Sequence, residues 1–260
     1  MYKLDLETWS QCQQDLFAYL MVETGCFLKK PATRKFLDLG CRFLEDNNTY
    51  KLELLGWEGL LFDNYTEIDL DKEPVTISEF NNENRSSKFF CVDVTTDEFC
   101  DVLLNNPEYL DVDYISLDVD RAGLQTLENL FKMGVRFKCI TFEHDKCSFG
   151  DTIKKPSEIM FREQGYELLF DDVGCNGLNW PLGPWGKWGR NAPFEDWWID
   201  PTYFIEDVMD FASVGERDFS IIGKLVNYIS TYGVKVENNG KYNGGRLTSP
   251  EFLLDYVISY

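Results

Sequence analysis

Short apolar runs alternate with helix-like segments along the chain from residue 36 onward. Six of the runs predict β-strands, at 36–40, 59–63, 88–94, 113–119, 138–144 and 166–173. The segments between them predict helices, at 48–55, 96–105, 123–132 and 156–164. Nearly continuous apolar strands separated by amphipathic helices are typical of a parallel sheet with both faces covered. We therefore expect a doubly wound α/β fold whose sheet is mostly parallel.

Helical additions flank this pattern on both sides. In residues 5–29, apolar positions at helical spacing predict an N-terminal helix that ends before Pro31. After the last strand, three further helix-like stretches occur, near 203–212, 218–231 and 249–258. The prediction divides the chain into three parts: an N-terminal helical segment (1–33), an α/β domain (34–201) and a C-terminal helical extension packed on that domain (202–260).

The charge of the chain limits its partners. Its 25 lysines and arginines stand against 45 acidic residues, which gives a formal net charge of −20 at pH 7. Such a negative field repels the phosphate backbone of nucleic acids and opposes the counterion release that drives their binding. We therefore expect a small-molecule or glycan substrate and no nucleic-acid partner, and the sequence leaves the oligomeric state open.

The sequence also carries no signal for export or membrane insertion. No apolar run reaches the roughly 18 to 20 residues that a membrane helix needs, and the first residues lack a basic region followed by an apolar stretch. The eight cysteines form no C-x-x-C pair, and several lie inside apolar strands. These features predict a cytoplasmic protein with reduced thiols and no membrane span.

Acidic residues end nearly every predicted strand. They are Asp38, Asp63, Asp93, Asp118 with Asp120, and Glu143 with Asp145. In open α/β sheets, ligands bind beyond the carboxyl ends of the strands, where the strand order reverses. Any one of these acids can instead cap the helix that follows its strand. Five acidic strand ends along one sheet edge nevertheless predict a ligand site there.

The turn after the first strand indicates which ligand this is. Gly40 is the only glycine between the start of the first predicted strand and Asn47, so neither the G-x-G-x-x-G pattern nor a phosphate-binding loop is present. A ligand with a cation, a ribose diol and an exocyclic amine suits this row of acids, and S-adenosylmethionine has all three. We expect Asp63, beside Asn64, to accept the ribose hydroxyls, Asp93, beside Val94, to accept from the adenine amine, and the loop after Asp38 to surround the methionine part.

Five separated segments of the chain, in order, resemble the FkbM-type S-adenosylmethionine-dependent methyltransferases, a branch of the class I methyltransferase fold. They are "FLDLGC…NNTYKLELLGWEGLLFD", "VDYISLDVDRAGLQTLENL", "ITFEHD", "GYELLFDDV" and "PFEDWWIDP". The resemblance covers about residues 34–201. It implies a seven-stranded sheet with an antiparallel hairpin at its far edge, and O-methylation of a hydroxyl, often on a sugar of a glycan, polyketide or lipid.

The resemblance also implies roles for individual residues. Asp38, Gly40 and Cys41 line the cofactor, Asn48 and Thr49 start the next helix beside it, and Asp63 holds the ribose. The chain departs from the family at two positions. Asp63-Asn64 stands where members commonly have glutamate and proline, and Arg121 stands where a glycine commonly follows the acids after the fourth strand. Arg121 is expected to pair with Asp120 or to meet an anionic group of the substrate.

Methyl transfer to a hydroxyl needs a base beside the reacting oxygen. His144 is the only histidine of the chain, and it follows Glu143 at the end of the fifth predicted strand. We expect His144 to act as the base, a neighbouring carboxylate such as Glu143 to hold its ring, and Asp118 to orient the acceptor or to replace His144 as base. The alternative is a structural histidine that is hydrogen-bonded at the strand end.

Two further features concern the substrate side. Asp118, Asp120, Glu143 and Asp145 offer oxygen ligands that suit a divalent cation such as Mg²⁺ or Mn²⁺, so metal dependence is an open alternative. The glycine- and proline-rich stretch 174–193 carries three tryptophans, Trp180, Trp185 and Trp188. Their rings either stack on the sugar of the acceptor or plug the loop onto the core.

The first functional hypothesis is thus an O-methyltransferase that modifies a hydroxyl of a glycan or glycoconjugate. An RNA cap or protein methyltransferase is the alternative within the same enzyme class, and the net charge of −20 opposes the RNA substrate. A catalytically degenerate methyltransferase fold that serves only as a binding module is the alternative outside enzymes.

Overall fold

The structure is a computed structural model that describes residues 3–42, 47–64, 81, 82, 84–174 and 193–237. In chain order its strands are β1 (Lys3–Asp5), β2 (Lys35–Leu39), β3 (Glu58–Asp63), β4 (Lys88–Cys91), β5 (Asp111–Leu117), β6 (Arg136–Glu143), β7 (Glu167–Gly174), β8 (Pro193–Ile199), β9 (Ser213–Val214) and β10 (Lys235–Glu237). The α-helices are α1 (Gln14–Ala18), α2 (Tyr50–Leu54), α3 (Asp97–Leu104), α4 (Gly123–Lys132), α5 (Lys146–Phe149), α6 (Asp151–Glu163) and α7 (Asp218–Thr231).

Eight of these strands form one sheet in the order β4-β3-β2-β5-β6-β8-β7-β9. Its strands are parallel except β8, which runs antiparallel to both β6 and β7. The order reverses between β2 and β5, because the chain first builds outward from β2 to β4 and then returns to add β5 on the other side. The predicted α/β fold with a mostly parallel sheet is therefore confirmed.

The strand predictions hold to within a few residues, whereas the number of strands in the sheet was wrong. The eighth strand of the sheet is β9, a two-residue strand from the C-terminal part of the chain that pairs in parallel with Phe170 and Asp171 of β7. Two residues carry too little apolar alternation to be recognised as a strand. The strand predicted at 88–94 is also shorter and ends at Cys91.

The helix predictions at 48–55, 96–105 and 123–132 correspond to α2, α3 and α4. The helix expected at 156–164 begins earlier, at Asp151, so that Pro156 lies inside α6 and does not mark its start. The stretch near 203–212 forms a 3₁₀ turn, Glu206–Phe211, and the one at 218–231 forms α7. The stretch 249–258 lies outside the described residues.

The N-terminal part is less helical than expected. It begins with β1, which pairs in parallel with β10 in a separate two-stranded sheet. Helix α1 starts after Gln13, whose φ of 58° is left-handed, and it continues as a π-helical turn, Tyr19–Glu23. Leu16, Phe17, Leu20 and Met21 are buried in the core as their spacing predicts.

Two hydrophobic clusters cover the two faces of the large sheet. On the front face, Tyr114 and Trp197 pack with apolar residues of α1, α2 and α7. On the back face, Ile115 and Trp198 pack with apolar residues of α3, α4 and α6. The flanking segments thus share one core with the sheet, because α1 and α7 contribute to the front cluster.

Within the described ranges, none of the helices combines the length and the apolar character that crossing a membrane requires. Six cysteines with described side chains are free thiols: Cys12, Cys26, Cys41, Cys91, Cys100 and Cys139.

Candidate functional site

Two strand ends approach each other closely at the point where the strand order reverses. The Asp118 backbone N–H donates to the Leu39 carbonyl at 2.9 Å, just beyond the ends of β5 and β2. Gly40 follows with φ +91°, and a Cβ atom at this position would lie 1.7 Å from the Asp118 carbonyl oxygen. Only glycine fits both the conformation and the contact. The turn after β2 is therefore held directly against the end of β5.

From Gly40 the chain crosses to the end of β3. The Gly40 backbone N–H donates to the Phe62 carbonyl at 2.8 Å, and the Arg42 backbone N–H donates to the buried Asp63 carboxylate at 3.0 Å. Cys41 lies between Asp38 and Asp63, and its pKa is raised well above the ordinary value, first by burial and then by these two carboxylates. The structure thus brings Asp38, Gly40, Cys41 and Asp63 together as predicted.

Asp38 is buried, with 1% of its surface exposed. Burial raises its pKa to about 6, although the nearby Arg85 guanidinium and the Thr49 hydroxyl oppose the rise. The Thr49 hydroxyl donates to Asp38 Oδ2 at 2.5 Å. Asp38 therefore takes up a proton near neutral pH more readily than an ordinary aspartate.

The start of α2 is fastened to the same turn. Asn47 Oδ1 accepts the backbone N–H groups of Thr49 at 3.0 Å and Tyr50 at 2.8 Å, while its amide donates to the Cys41 carbonyl. Asn48 is buried, and its amide donates to Ser116 Oγ of β5 at 3.0 Å. Thr49 therefore contacts Asp38 and Asn48 contacts the neighbouring strand β5, while their place beside a cofactor stays a prediction.

Arg85 completes this region, and sequence reasoning missed it. Its guanidinium donates through Nε to Glu53 at 2.7 Å and through Nη2 to the Thr49 hydroxyl at 2.8 Å, and it lies 4.0 Å from Asp38. Its side chain has no exposed surface. One helical turn earlier, the Asn81 amide donates to the Arg42 carbonyl at 2.8 Å. Residues 81 and 85 are four positions apart, a spacing that places two side chains on the same face of a helix. This spacing is the only sequence signal that could have suggested a common role for them.

Asp93 has a more local role than predicted. Its Oδ1 accepts the backbone N–H of Thr95 at 2.9 Å and the Thr95 hydroxyl at 2.7 Å, just before α3 begins. These hydrogen bonds hold the pKa of Asp93 below its ordinary value, and Asn64 adds a further one. Val94 is buried nearby. Asp93 thus closes a local turn with Thr95 ahead of α3, and its predicted contact with the adenine amine stays a prediction.

A group of acidic residues, which we name the carboxylate cluster, lies at the ends of β5, β6 and β8. Its members are Asp118, Glu143, Asp145 and Glu195. Glu143 and Glu195 are directly opposite each other in the antiparallel pair of β6 and β8, so both side chains point to the front face. Glu143 hydrogen-bonds Asp118, and Asp145 hydrogen-bonds Glu143. Sequence reasoning did not single out Glu195.

Burial and mutual repulsion keep protons on this cluster. The pKa of Glu143 is raised well above its ordinary value by burial, then by Asp118 and the other acids. Burial raises the pKa of Glu195 to about 8, although its polar neighbours Trp197, Cys12 and Gln14 oppose the rise. The Gln14 amide donates to Glu195 Oε2 at 3.2 Å. Burial and the neighbouring like charges thus disfavour the ionised forms of Glu143 and Glu195, and both carboxyls hold their protons more strongly than ordinary glutamates do.

The placement of His144 argues against its predicted role as the base. Side chains alternate between faces along β6 and just beyond it, so Glu143 points to the front and His144 to the back. His144 is fully buried, its Nδ1 accepts the Lys146 backbone N–H at 3.1 Å, and its Nε2 lies 3.2 Å from Asp196 Oδ1. A buried side chain on the back face does not reach an acceptor oxygen on the front face.

His144 belongs instead to a buried charge network around Lys154 of α6. Lys154 Nζ donates to Asp171, to Asp172 at 2.6 Å and to Asp196 at 2.9 Å. The groups of described residues whose spacing suits a metal ion are His144, Asp172 and Asp196, and Glu158, Asp171 and Asp196. The Lys154 ammonium already supplies a cation to both groups. We therefore interpret this network as a structural link between α6, β7 and β8.

The residues expected to contact the substrate are only partly accounted for. Asp120 is exposed and adopts a left-handed φ of 49°. Arg121 is exposed, and its guanidinium lies 4.8 Å from the centre of the Phe149 ring. Its observed contact is therefore an aromatic ring. Trp180, Trp185 and Trp188 lie outside the described residues.

Neither the protein-family models nor the curated proteins with which the sequence was compared match this chain.

Proposed function

We propose that this protein is an S-adenosylmethionine-dependent O-methyltransferase that acts on a hydroxyl of a sugar in a glycan or glycoconjugate. The observation that carries the proposal is the point where the strand order reverses, closed by Gly40 against Asp118 and flanked by Asp38 and Asp63. Ligands of open α/β sheets bind at this point. The turn lacks the glycines of a phosphate-binding loop, and its carboxylates suit a ligand with cationic groups and a ribose diol.

The arrangement of the strands supports the same proposal. The resemblance to class I methyltransferases implies an antiparallel hairpin at the far edge of the sheet, and β7 and β8 form an antiparallel pair beyond β6. In this sheet β8 lies between β6 and β7. Helices on both faces and a reversal between β2 and β5 also agree with that class.

The residues present fit the cofactor. Asp63 would hold the ribose hydroxyls, and the turn from Asp38 to Cys41 would hold the methionine part. Two buried atoms beside this turn, Arg85 Nη1 and Asn48 Oδ1, have no hydrogen-bond partner among the described residues. When bound, the cofactor supplies a methyl group activated by a positive sulfonium.

The carboxylate cluster supplies the acid–base chemistry of the proposal. Glu143 is on the front face and hydrogen-bonds Asp118, which lies directly against Gly40. The raised pKa of Glu143 makes its ionised carboxylate a stronger base for the proton of a hydroxyl. We assign the base to Glu143 with Asp118 as its partner. The same carboxylates would repel an anionic acceptor, which favours an uncharged sugar hydroxyl.

The test is ligand binding followed by methyl transfer. We expect S-adenosylhomocysteine to raise the melting temperature of the protein, because a ligand that binds only the native state stabilises it. Asp63→Asn should weaken this shift, whereas Asp101→Asn, on the exposed side of α3, should not. With labelled methyl donor and a panel of glycans, Glu143→Gln should retain the shift and lose the transfer.

The binding step also separates the proposal from its alternatives. No shift of the melting temperature at millimolar S-adenosylhomocysteine would refute the methyltransferase proposal and favour a binding module. A shift without transfer to any glycan, but with transfer to a protein or to capped RNA, would retain the cofactor and replace the substrate. The cytoplasm is the proposed location, in agreement with the free thiols of the described part of the chain.

A further inference from the structure

Two buried polar atoms next to the turn after β2 require a partner. Among the described residues, Arg85 Nη1 is a donor and Asn48 Oδ1 is an acceptor, and neither forms a hydrogen bond. Both residues lie next to Thr49, since Arg85 donates to the Thr49 hydroxyl and Asn48 precedes Thr49 in the chain. Buried polar groups without partners are costly and rare in native proteins. A ligand that brings one acceptor and one donor to this place would satisfy both.

We propose that Arg85 and Asn48 bind the amino-acid end of S-adenosylmethionine, with Arg85 taking its carboxylate and Asn48, together with Asp38, taking its ammonium group. This inference rests on the proposed function and extends it to Arg85, which the sequence pattern did not indicate. It identifies Arg85 as the residue that distinguishes the intact cofactor from nucleosides that lack the amino-acid part.

The hydrogen bonds of Arg85 leave one edge of its guanidinium available. Nε is used by Glu53 and Nη2 by Thr49, so that the plane of the group is fixed while Nη1 has no described partner. A fixed guanidinium with an unused N–H donor suits a carboxylate. Glu53, at 2.7 Å, already neutralises the charge of Arg85 in the protein without ligand. The carboxylate of the cofactor would therefore be a second anion, held by the unused N–H donor.

The ammonium group of the ligand would find its partners in Asp38 and Asn48, which also adjoin Thr49. The Thr49 hydroxyl donates to Asp38 Oδ2, and Asn48 Oδ1 lies on the residue before it. An ammonium group has three donors and no acceptor. A carboxylate and an amide oxygen are therefore suitable partners for it, and the ionised form of Asp38 would be favoured by its arrival.

The test compares two ligands by isothermal titration calorimetry. S-adenosylhomocysteine carries the amino-acid end, and 5′-methylthioadenosine lacks it while retaining the nucleoside and the sulfur. The variants are Arg85→Lys and the double variant Arg85→Met/Glu53→Gln, in which Glu53 is not left as an unpaired buried carboxylate. Arg162→Met, exposed on α6, is the matched control. Circular dichroism verifies that each variant is folded.

We expect both Arg85 variants to bind S-adenosylhomocysteine about tenfold to a hundredfold more weakly, as for loss of a hydrogen bond to a charged group. Their affinity for 5′-methylthioadenosine should stay within about twofold of the wild type, and Arg162→Met should change neither affinity. If the double variant does not fold, Arg85→Lys decides, because its ammonium can bind Glu53 or the ligand but does not reproduce the guanidinium.

Three results would overturn the inference. Unchanged affinity for S-adenosylhomocysteine in the folded variants would show that Arg85 does not contact the ligand. Equal weakening of both ligands would show that Arg85 only holds α2 and the turn in place. If the wild type binds neither ligand, the proposed function itself is wrong and this assignment is refuted with it, an outcome that differs from the first two.

Discussion

Removal of the ionisable group of Glu195 should change how the stability of the protein depends on pH. Glu195 is buried on the front face, and its pKa is raised to about 8, chiefly by burial. In the unfolded chain the group returns to its ordinary value of 4.5. Between these two values the native state binds more protons than the unfolded state, so stability falls as the pH rises. Glu195→Gln keeps the shape of the side chain and an acceptor for Gln14 but abolishes this titration.

The size of the effect follows from proton linkage. One proton that the native state binds and the unfolded state does not changes the free energy of unfolding by about 1.4 kcal/mol per pH unit. Between pH 6 and pH 7.5, the wild type should lose up to about 2 kcal/mol relative to Glu195→Gln. Because Glu195 interacts with Glu143, whose pKa is also raised, the measured slope is expected to be somewhat smaller.

Urea unfolding at several pH values measures this difference directly. The free energy of unfolding of Glu195→Gln minus that of the wild type should rise with pH between pH 6 and pH 7.5. Glu167→Gln, at an exposed position of β7, is the control and should show a constant difference. A constant difference for Glu195→Gln as well would mean that Glu195 is ionised throughout this range, and the raised pKa of Glu195 would be refuted.

Two further predictions concern stability. Lys154→Met removes the buried cation that Asp172 and Asp196 contact, and should lower the free energy of unfolding, measured by urea titration, by about 3 kcal/mol. Lys155→Met is the control. Lys155 is the next residue of α6, 69% of its side chain is exposed, and its substitution should leave the free energy of unfolding unchanged. A loss no larger for Lys154→Met than for Lys155→Met would contradict the network. Gly56→Ala should cost about 1 to 2 kcal/mol for its φ of +83°, and Gly40→Ala clearly more, because its methyl group also collides with the Asp118 carbonyl. Equal costs in thermal melts would refute the close approach of the two strand ends.

The sheet and half of the candidate site could be predicted from the sequence because both depend on local patterns. Each buried strand is a short apolar run, and the acid that ends it lies at the common carboxyl edge in any parallel sheet. Asp38 and Asp63 therefore appear together without knowledge of the contacts between them. The turn at Gly40 is also a local feature, since a positive φ and a close approach both require glycine.

The residues that were missed depend on contacts between distant parts of the chain. Arg85 reaches Thr49 and Glu53 from more than thirty residues away, and nothing in the charge pattern around it indicates that it is buried. Glu195 lies in a strand that is rich in aromatic residues. An acidic residue in such a strand is easily taken for a solvent-facing position of an alternating pattern. It is buried because β8 is inserted between β6 and β7, a topological fact that the strand itself does not encode.

The error about His144 has a different origin, because the sequence did contain the relevant signal. Adjacent residues of an extended strand point to opposite faces, so His144 and Glu143 could not both reach the same face. The same alternation separates Glu195 from Asp196 on the neighbouring strand. Two adjacent pairs of residues thus divide the ionisable groups of this sheet edge into a front set and a back set.

This division has a functional consequence. In the back set, the buried Asp196 contacts both His144 and Lys154, and these contacts link α6 to the sheet. The front set, with Glu143 and Glu195, leaves carboxylates crowded and partly protonated, an arrangement that costs stability and persists where a ligand uses it. Substitutions of the back set should therefore act on folding, and substitutions of the front set on binding and proton transfer. The sheet thus separates the paired groups around Lys154 on its back face from the crowded carboxylates on its front face, where the proposed function places the proton transfer.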